Sequence, residues 1–283
     1  MKRAIVIYLE NNKQMMYQMG CFYYAWKHLN SRDTDLVVFG MQDALDRVPD
    51  DCIKVLYTPI SKEPEWNNYY FIDSMSCLTS PQADFLEQYD CLLRSDADTF
   101  LTPAWNHFYP LGYVTGGGKY VHDDNTKNNL IRVANTFGLK HKGIHNIGST
   151  HYGPANIVRE VCRLVEPITK YLVSEEFKYD KGKWPGWTAP VSLLYASEIA
   201  VNHLINNPKV EPQTLDFESH SSDSVFYHPH IHCWHTGEKF SKFCFLVGGY
   251  DNVDIRFLNR HKVNDYCTYT ALMAKRDLPE FFK

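Results

Sequence analysis

Short, largely apolar runs alternate with an amphipathic stretch in the first part of the chain. The runs are Ala4 to Leu9, Asp35 to Gly40 and Ile53 to Tyr57. Runs of this length are typical of strands that are covered on both faces. Between the first two runs, Gln14 to Leu29 carries its large apolar residues on one side, which predicts a helix. This order of strand, helix and strand predicts an α/β fold with a mostly parallel central sheet flanked by helices.

The pattern continues less regularly toward the C-terminus. Cys91 to Leu93 predicts another short central strand, and Phe71 to Thr79 and Ala83 to Leu86 have helical character. Two longer helices are predicted, from about Ala155 to Leu172 and from Val191 to Ile205. We find no internal repeat or linker that divides the chain, so we expect a single domain over residues 1–283, irregular in its C-terminal half.

Composition and charge exclude several classes of protein. The 283 residues are 44% hydrophobic and 22% charged, which rules out a disordered chain. The formal net charge of −4 gives no support to a nucleic-acid binder, and no stretch approaches the roughly 20 apolar residues of a membrane span. Eight scattered cysteines without a Cys-x-x-Cys pair indicate reduced, mostly buried thiols. We therefore expect a soluble cytoplasmic protein.

Two aspartates follow the predicted Cys91–Leu93 strand. Asp96 and Asp98 are two residues apart, so their side chains project to the same side of an extended chain. Converging carboxylates are costly unless a cation lies between them, and oxygen ligands favour Mg²⁺ or Mn²⁺ bridging to substrate phosphates. The alternative is a helix N-cap with acidic residues in its first turn. The strand in front favours the metal site, because α/β sheets bind ligands at the carboxyl ends of strands.

The segment Asp96-Ala97-Asp98-Thr99-Phe100-Leu101 after a hydrophobic strand resembles the D-x-D motif of GT-A glycosyltransferases. The resemblance implies a GT-A fold, a Mn²⁺ or Mg²⁺ cofactor, a nucleoside-diphosphate sugar donor, typically UDP-linked, and a glycan or glycoprotein acceptor. It implies a nucleotide-binding half over residues 1–105 and a donor-sugar and acceptor half over residues 106–283. The chain is also similar to the small glycosyltransferases that chloroviruses encode for capsid glycans, which implies xylose as the donated sugar and the host cytoplasm as the location.

The resemblance implies residues for the nucleotide and the metal. The nucleotide-binding candidates are Tyr8, Leu9 and Glu10 at the end of the first strand, and Arg94 and Ala97 beside the D-x-D motif.

A late histidine is expected as the third metal ligand. His235 is favoured, because His235-Thr236-Gly237-Glu238-Lys239 is similar to the His-x-Gly-x-x-Lys segment of some GT-A families, and His232 is its rival. The spacing departs by one residue, so Lys239 and Lys242 are both candidates to contact the diphosphate.

Two further segments are candidates for sugar binding. Asn146, Gly148 and Ser149 form an Asn-x-Gly segment that resembles the donor-sugar loop, where glycine permits close approach and polar side chains bind hydroxyls. Trp184 and Trp187, set among Gly, Pro and Lys, are poor core candidates, and their flat faces suit an acceptor sugar.

Glu198 is the only carboxylate of the predicted Val191–Ile205 helix, and its neighbours are largely apolar. Such surroundings tend to raise the pKa of a carboxylate, which suits a general base that deprotonates the acceptor hydroxyl with inversion. The alternatives are a surface glutamate, or a retaining enzyme in which Glu198 is not the base.

Other functions remain open at this point. His228, His230 and His232 alternate along a predicted strand and raise the alternative of a zinc site, although they lie too close along the chain to complete one alone. A sugar nucleotidyltransferase would also gather carboxylates around Mg²⁺, but the N-terminus lacks the Gly-rich basic loop that such enzymes use for a triphosphate. A non-catalytic carbohydrate-binding protein would use Trp184 and Trp187 without metal or nucleotide.

Overall fold

The computed structural model describes residues 1–233 and 240–283 and has a mixed α/β fold. The strands are β1 (Arg3–Leu9), β2 (Thr34–Gly40), β3 (Ile53–Leu56), β4 (Cys91–Arg94), β5 (Thr99–Leu101), β6 (Val114–Gly117), β7 (Ile147–Pro154), β8 (Lys209–Val210), β9 (Phe217–Glu218) and β10 (His230–His232). The helices are α1 (Lys13–Leu29), α2 (Gln42–Leu45), α3 (Asp73–Ser76), α4 (Asp124–Thr136), α5 (Ala155–Tyr171), α6 (Ser192–Leu204), α7 (Lys242–Leu246) and α8 (Val263–Asp277).

The predicted fold class, α/β with a mostly parallel sheet flanked by helices, is confirmed. The predicted strands β1 to β4 and the long helices α1, α5 and α6 are confirmed to within about two residues. Caps set the ends of α1: the Asn12 side chain accepts the Met15 N–H at 2.9 Å, and Asn30 ends the helix in the left-handed region at φ 47°.

Two predictions of local structure need correction. The helix predicted from Phe71 to Thr79 is shorter, because a 3₁₀ turn over Tyr70–Ile72 precedes α3, and the segment around Ala83 is a 3₁₀ helix, Pro81–Gln88. The predicted donor-sugar loop becomes strand β7 at Ile147. Its alternation is interrupted by glycines and polar residues, which conceals the strand in the sequence.

The chain divides into two compact units. Unit 1 consists of Met1–Arg3, Tyr57–Arg94 and Pro110–Val210, and unit 2 of Ala4–Leu56, Ser95–Tyr109 and Glu211–Lys283. A single catalytic domain over residues 1–283 stays a prediction.

Unit 1 contains four neighbouring strands in the order β4-β7-β6-β8. β7 pairs antiparallel with both β4 and β6, and β6 pairs parallel with β8. α5 and α6 pack against each other and against β7. This packing holds the buried face of α6, which includes Glu198, next to the start of β7.

Unit 2 contains three neighbouring strands in the order β3-β2-β1. It also contains a small sheet in the order β5-β10-β9. β2 and β3 are parallel. An apolar cluster that includes Tyr24, Phe100, Phe240 and Phe245 supports the small sheet. Within the described part of the chain, no helix is long and apolar enough to cross a membrane. Seven of the eight cysteines are buried, as predicted, and all eight are free thiols.

Candidate functional site

Strand pairing brings the D-x-D motif to a histidine in unit 2. β10 runs antiparallel to β5 with His232 opposite Thr99, and the Cys233 N–H donates to the carbonyl of Asp98 at 3.0 Å. The candidate ligand atoms of Asp96, Asp98 and His232 all lie within 4.8 Å of one another. The two aspartates therefore converge, and His232 is the imidazole that joins them.

Charged neighbours surround Asp98. His232 Nε2 lies 3.3 Å from one of its carboxylate oxygens, and the Lys242 ammonium forms an ion pair with the other. Burial by itself raises the pKa of Asp98, but the adjacent His232 and Lys242 outweigh this effect and hold the pKa well below its usual range. For His232 burial has the opposite effect and lowers the pKa. The carboxylates of Asp98 and Asp216 outweigh burial and raise the pKa of His232 to about 10.

Asp216 orients His232 from the opposite side. Its buried carboxylate accepts a hydrogen bond from His232 Nδ1 at 3.1 Å, which directs Nε2 toward Asp98. A carboxylate that holds the second ring nitrogen in this way is the usual partner of a metal-binding histidine. Sequence reasoning missed Asp216, which stands alone in a loop 16 residues before His232 and matches no motif.

His230 binds neighbouring protein groups and takes no part in the candidate metal site. Its Nδ1 accepts the Asp216 N–H at 3.2 Å, and its Nε2 lies 2.9 Å from the Ser95 hydroxyl. Burial lowers the pKa of His230 to about 4, so the ring is neutral. His228 Nδ1 contacts the Gln213 carbonyl, and its ring stacks on Phe217. Within residues 1–233 and 240–283, neither His228 nor His230 joins a group of candidate metal ligands.

The residues of unit 2 fit a hard divalent cation. Two carboxylates and one imidazole are a suitable donor set for Mn²⁺ or Mg²⁺, with coordination positions left for other oxygens. Ala97, Asp98 and Lys242 also line a shallow cleft whose other walls include Tyr17 and Phe245. His235 and Lys239, predicted to bind metal and diphosphate, lie outside the described residues.

The predicted nucleotide contacts of β1 lie in unit 2. Tyr8 and Leu9 are buried, and the Tyr8 hydroxyl donates to a Glu10 carboxylate oxygen at 3.3 Å. Glu10 also accepts a hydrogen bond from the Asn12 side chain.

Arg94, the other predicted nucleotide contact, is buried in unit 1. Its guanidinium donates to the carbonyls of Ser74 and Ser149, at 3.2 and 2.8 Å, and also contacts the Ser74 hydroxyl. Arg94 therefore links α3 to β7.

Glu198 is the centre of a second polar cluster, in unit 1. Its side chain is fully buried. One carboxylate oxygen accepts hydrogen bonds from His145 Nδ1 at 2.7 Å and His141 Nε2 at 3.2 Å. The other accepts from the Tyr120 hydroxyl and from the backbone N–H of Asn146, both at 2.7 Å. The alternative of a surface glutamate is therefore wrong.

The expected rise in the pKa of Glu198 is also wrong. Burial does raise the pKa, but the hydrogen bonds from His141, His145 and Tyr120 outweigh it and hold the pKa below its usual value of 4.5. The apolar sequence neighbours of Glu198 concealed these partners, which come from the segment between α4 and β7 and from the segment before α4. The motif His141-x-x-x-His145-Asn146 was the available signal, but its spacing has no fixed meaning outside a helix.

Asn146 ties this cluster to a neighbouring loop. Its backbone is in the left-handed region at φ 61°, and its side-chain oxygen accepts the N–H groups of Tyr120 and Val121, each at 2.9 Å. The Asn146 side chain therefore stabilises the protein itself. Gly148 and Ser149 follow on β7, where the buried Ser149 hydroxyl has no hydrogen-bond partner among the described residues.

The two predicted acceptor tryptophans differ in their surroundings. Trp184 is 52% exposed and meets the His122 ring edge-on, with 5.0 Å between ring centroids. Trp187 instead stacks on Tyr195 at 4.2 Å and donates from Nε1 to Glu176 at 3.1 Å. Trp187 is only partly buried, and its contacts with Tyr195 and Glu176 hold it more firmly than Trp184. The acceptor role of both tryptophans stays a prediction.

The sequence matches, over residues 1–278, the family described as "Domain of unknown function (DUF7164)". No curated protein sequence matches the chain.

Two similar solved structures are glycosyltransferases. One is described as a glycosyltransferase involved in the glycosylation of the major capsid of PBCV-1, with a TM-score of 0.42 and 9% identity over 82% of this chain and 93% of that chain. The other is the apo structure of the bifunctional glycosyltransferase WbbM, with a TM-score of 0.48 and 11% identity over 96% of this chain and 52% of that chain. At such distances the function has to be argued from the site residues.

Proposed function

We propose that this chain, which belongs to the DUF7164 family, is a metal-dependent glycosyltransferase of the GT-A class. It transfers a sugar from a nucleoside-diphosphate sugar to a hydroxyl of a glycan or glycoprotein acceptor. The observation that carries the proposal is the convergence of Asp96, Asp98 and His232, supported by Asp216. The D-x-D resemblance favours a UDP-linked donor, and the chlorovirus resemblance favours xylose as its sugar.

Asp96, Asp98 and His232 would hold Mn²⁺ or Mg²⁺ in unit 2. When bound, the ion supplies a Lewis acid that neutralises negative charge on the leaving diphosphate. Asp216 keeps His232 Nε2 directed at the ion's position. Lys242 contacts Asp98 and lines the same cleft, which supports the proposal that its ammonium binds a phosphate oxygen. His235 and Lys239 stay candidates for the same two roles.

We propose that Ser149 and Trp184 bind sugars. The Ser149 hydroxyl has an unused hydrogen-bonding capacity, and the exposed face of Trp184 suits the apolar side of an acceptor sugar. Glu198 stays the residue that the sequence predicts as the base for the acceptor hydroxyl. We expect inversion of the anomeric carbon, and a retaining reaction would be recognised from the product's anomeric configuration.

The first test is donor binding followed by transfer. We expect UDP-sugars, with UDP-xylose screened first, to raise the melting temperature only in the presence of Mn²⁺, since a ligand selective for the native state stabilises it by mass action. Asp98→Ala should abolish this shift. Asp43→Ala is the matched control, because Asp43 is an exposed carboxylate of unit 2 that accepts a hydrogen bond from the Asn11 side chain.

The same assays separate the alternatives. A nucleotidyltransferase would release pyrophosphate from a nucleoside triphosphate and a sugar 1-phosphate. A carbohydrate-binding protein would bind glycans in calorimetry equally well with and without Mn²⁺ and would show no turnover. Either result would replace the proposed function.

A further inference from the structure

We propose that Trp184 and Asp123 form one sugar-binding subsite of unit 1 that selects an uncharged sugar ring, an inference that rests on the proposed function. The subsite gives a chemical class to the sugar that Trp184 is proposed to bind. Two loops meet there, one that carries Trp184 and one that leads into α4 at Asp123. Both loops belong to unit 1, so the subsite concerns that unit alone.

The loop over residues 182–188, the Trp184 loop, is closed by contacts on both sides of the tryptophan. Gly182 and Thr188 form an antiparallel bridge. The Tyr195 hydroxyl, on α6, donates to the carbonyl of Gly186 at 2.9 Å. The half-exposed indole of Trp184 is therefore presented from an anchored loop. A group that is fixed before a ligand arrives loses less conformational freedom on binding.

The second loop brings a carboxylate to the Trp184 loop. His122 contacts the indole of Trp184 edge-on, and the exposed Asp123 follows it in sequence. Asp123 is the N-cap of α4, and its Oδ1 accepts the Thr126 N–H at 2.6 Å. Its Oδ2 faces Gly186, where a Cβ atom would lie 3.5 Å away. The carboxylate therefore lies beside the Trp184 loop, with one oxygen fixed by the helix and the other facing the loop.

An exposed indole face next to a fixed carboxylate suits a neutral sugar. The apolar C–H side of a pyranose ring packs on a flat aromatic face, and a carboxylate accepts charge-assisted hydrogen bonds from hydroxyl groups. Hydrogen bonds from Thr126 lower the pKa of Asp123 from its usual value of 3.8, so the carboxylate is charged at neutral pH. A neutral sugar offers this charge a hydroxyl donor, whereas the carboxylate of an acidic sugar is repelled.

Lys183 is the charge that would favour the opposite choice. It is the exposed neighbour of Trp184 in sequence, and an ammonium that controlled the subsite would attract an acidic sugar. A lysine ammonium is carried on a flexible four-carbon stem. The Asp123 carboxylate is instead held in place by its hydrogen bond to α4. We therefore expect Asp123 to decide which sugar is bound.

The test is sugar binding without donor or metal, followed in ¹⁵N NMR by the indole N–H of Trp184 and the backbone N–H of Gly186. The probes are the methyl glycosides of xylose, glucose and galactose, and those of glucuronate and galacturonate as their charged counterparts. We expect at least one neutral glycoside to shift both resonances. Its uronate counterpart should bind about threefold to fivefold more weakly, the scale of an exposed charge pair.

Matched variants separate the charge from the fold. Asp123→Asn keeps a good N-cap and removes the charge, so the neutral glycoside and its uronate should bind with equal affinity. Asp124→Asn is the control, because Asp124 is the next residue of α4 and pairs with Lys127, and it should keep the wild-type preference. Trp184→Ala should weaken binding of the neutral glycoside about tenfold, followed at Gly186. Circular dichroism checks that each variant folds.

Three results would overturn the proposal. The first is that no neutral glycoside of the set shifts the Trp184 and Gly186 resonances, and the second is that a uronate binds as tightly as its neutral counterpart or more tightly. The third is an Asp123→Asn variant that keeps the wild-type preference. A chain that binds neutral glycosides at this subsite but shows neither Mn²⁺-dependent donor binding nor transfer would instead refute the proposed function and leave the sugar selection standing.

Discussion

Asp216→Asn is the sharpest test of the proposed metal site. The substitution keeps the size of the side chain and an oxygen that can accept the His232 hydrogen bond, and it removes the negative charge. Asparagine is also suited to the backbone here, since Asp216 has φ 58° and Asn tolerates the left-handed region well. An alanine at this position would add strain to the loss of the carboxylate, so it is the poorer probe.

The magnitude follows from the geometry. Asp216 makes one hydrogen bond of 3.1 Å to His232, and its side chain is fully buried. Loss of such a partner typically weakens metal binding about 10–100-fold, which is about 1.4–2.8 kcal/mol.

The assay is Mn²⁺ titration of the chain without nucleotide, followed by electron paramagnetic resonance or calorimetry. Asp43→Asn is the control, and it should bind Mn²⁺ as the wild type does. A dissociation constant for Asp216→Asn within threefold of the wild type would refute the contribution of the Asp216 charge to metal binding. It would also move the third-ligand assignment away from His232.

Three further predictions follow from the two clusters and the tryptophans. Asp98→Ala should abolish Mn²⁺ binding and sugar transfer, measured by calorimetry and product release. Glu198→Gln should lower the free energy of unfolding at neutral pH by about 1–3 kcal/mol. Because the folded pKa of Glu198 is depressed, its stabilisation is fully present above its usual value of 4.5 and is lost as the pH falls through the folded value. Denaturant titrations from pH 3 to 7 should therefore show a smaller acid loss in the variant. Trp187→Ala should lower the melting temperature, whereas Trp184→Ala should leave it unchanged and raise the acceptor KM.

Local sequence patterns predicted much of the fold. β1 and β2 are built on continuous apolar runs, and α1 has polar caps at both ends, so short-range physics decides them. β3 is less buried than its sequence suggests, because its end residues Ile53 and Leu56 are exposed. β7 was missed because its glycines and polar residues hide its alternation, and its partners β4 and β6 are distant in the sequence.

The candidate site was predictable only where its residues are neighbours in sequence. Asp96 and Asp98 lie on one short segment, so their convergence could be expected. The pairing of His232 with Asp216, and of Glu198 with His145, depends on strand register and helix packing. No local signal carries that information, which is also why the direction of the Glu198 pKa was predicted wrongly.

Lys242, at the start of α7, gives Asp98, a proposed ligand of the cation, a resident counterion. A carboxylate that is largely removed from water and has no partner would destabilise the folded state. The Lys242 ammonium neutralises Asp98 when no ion is present. The chain can therefore fold before it binds a cation. A chelator should silence the protein and leave it folded, with the melting temperature lowered only by the loss of bound-metal stabilisation. Returning manganese should restore activity without a refolding lag.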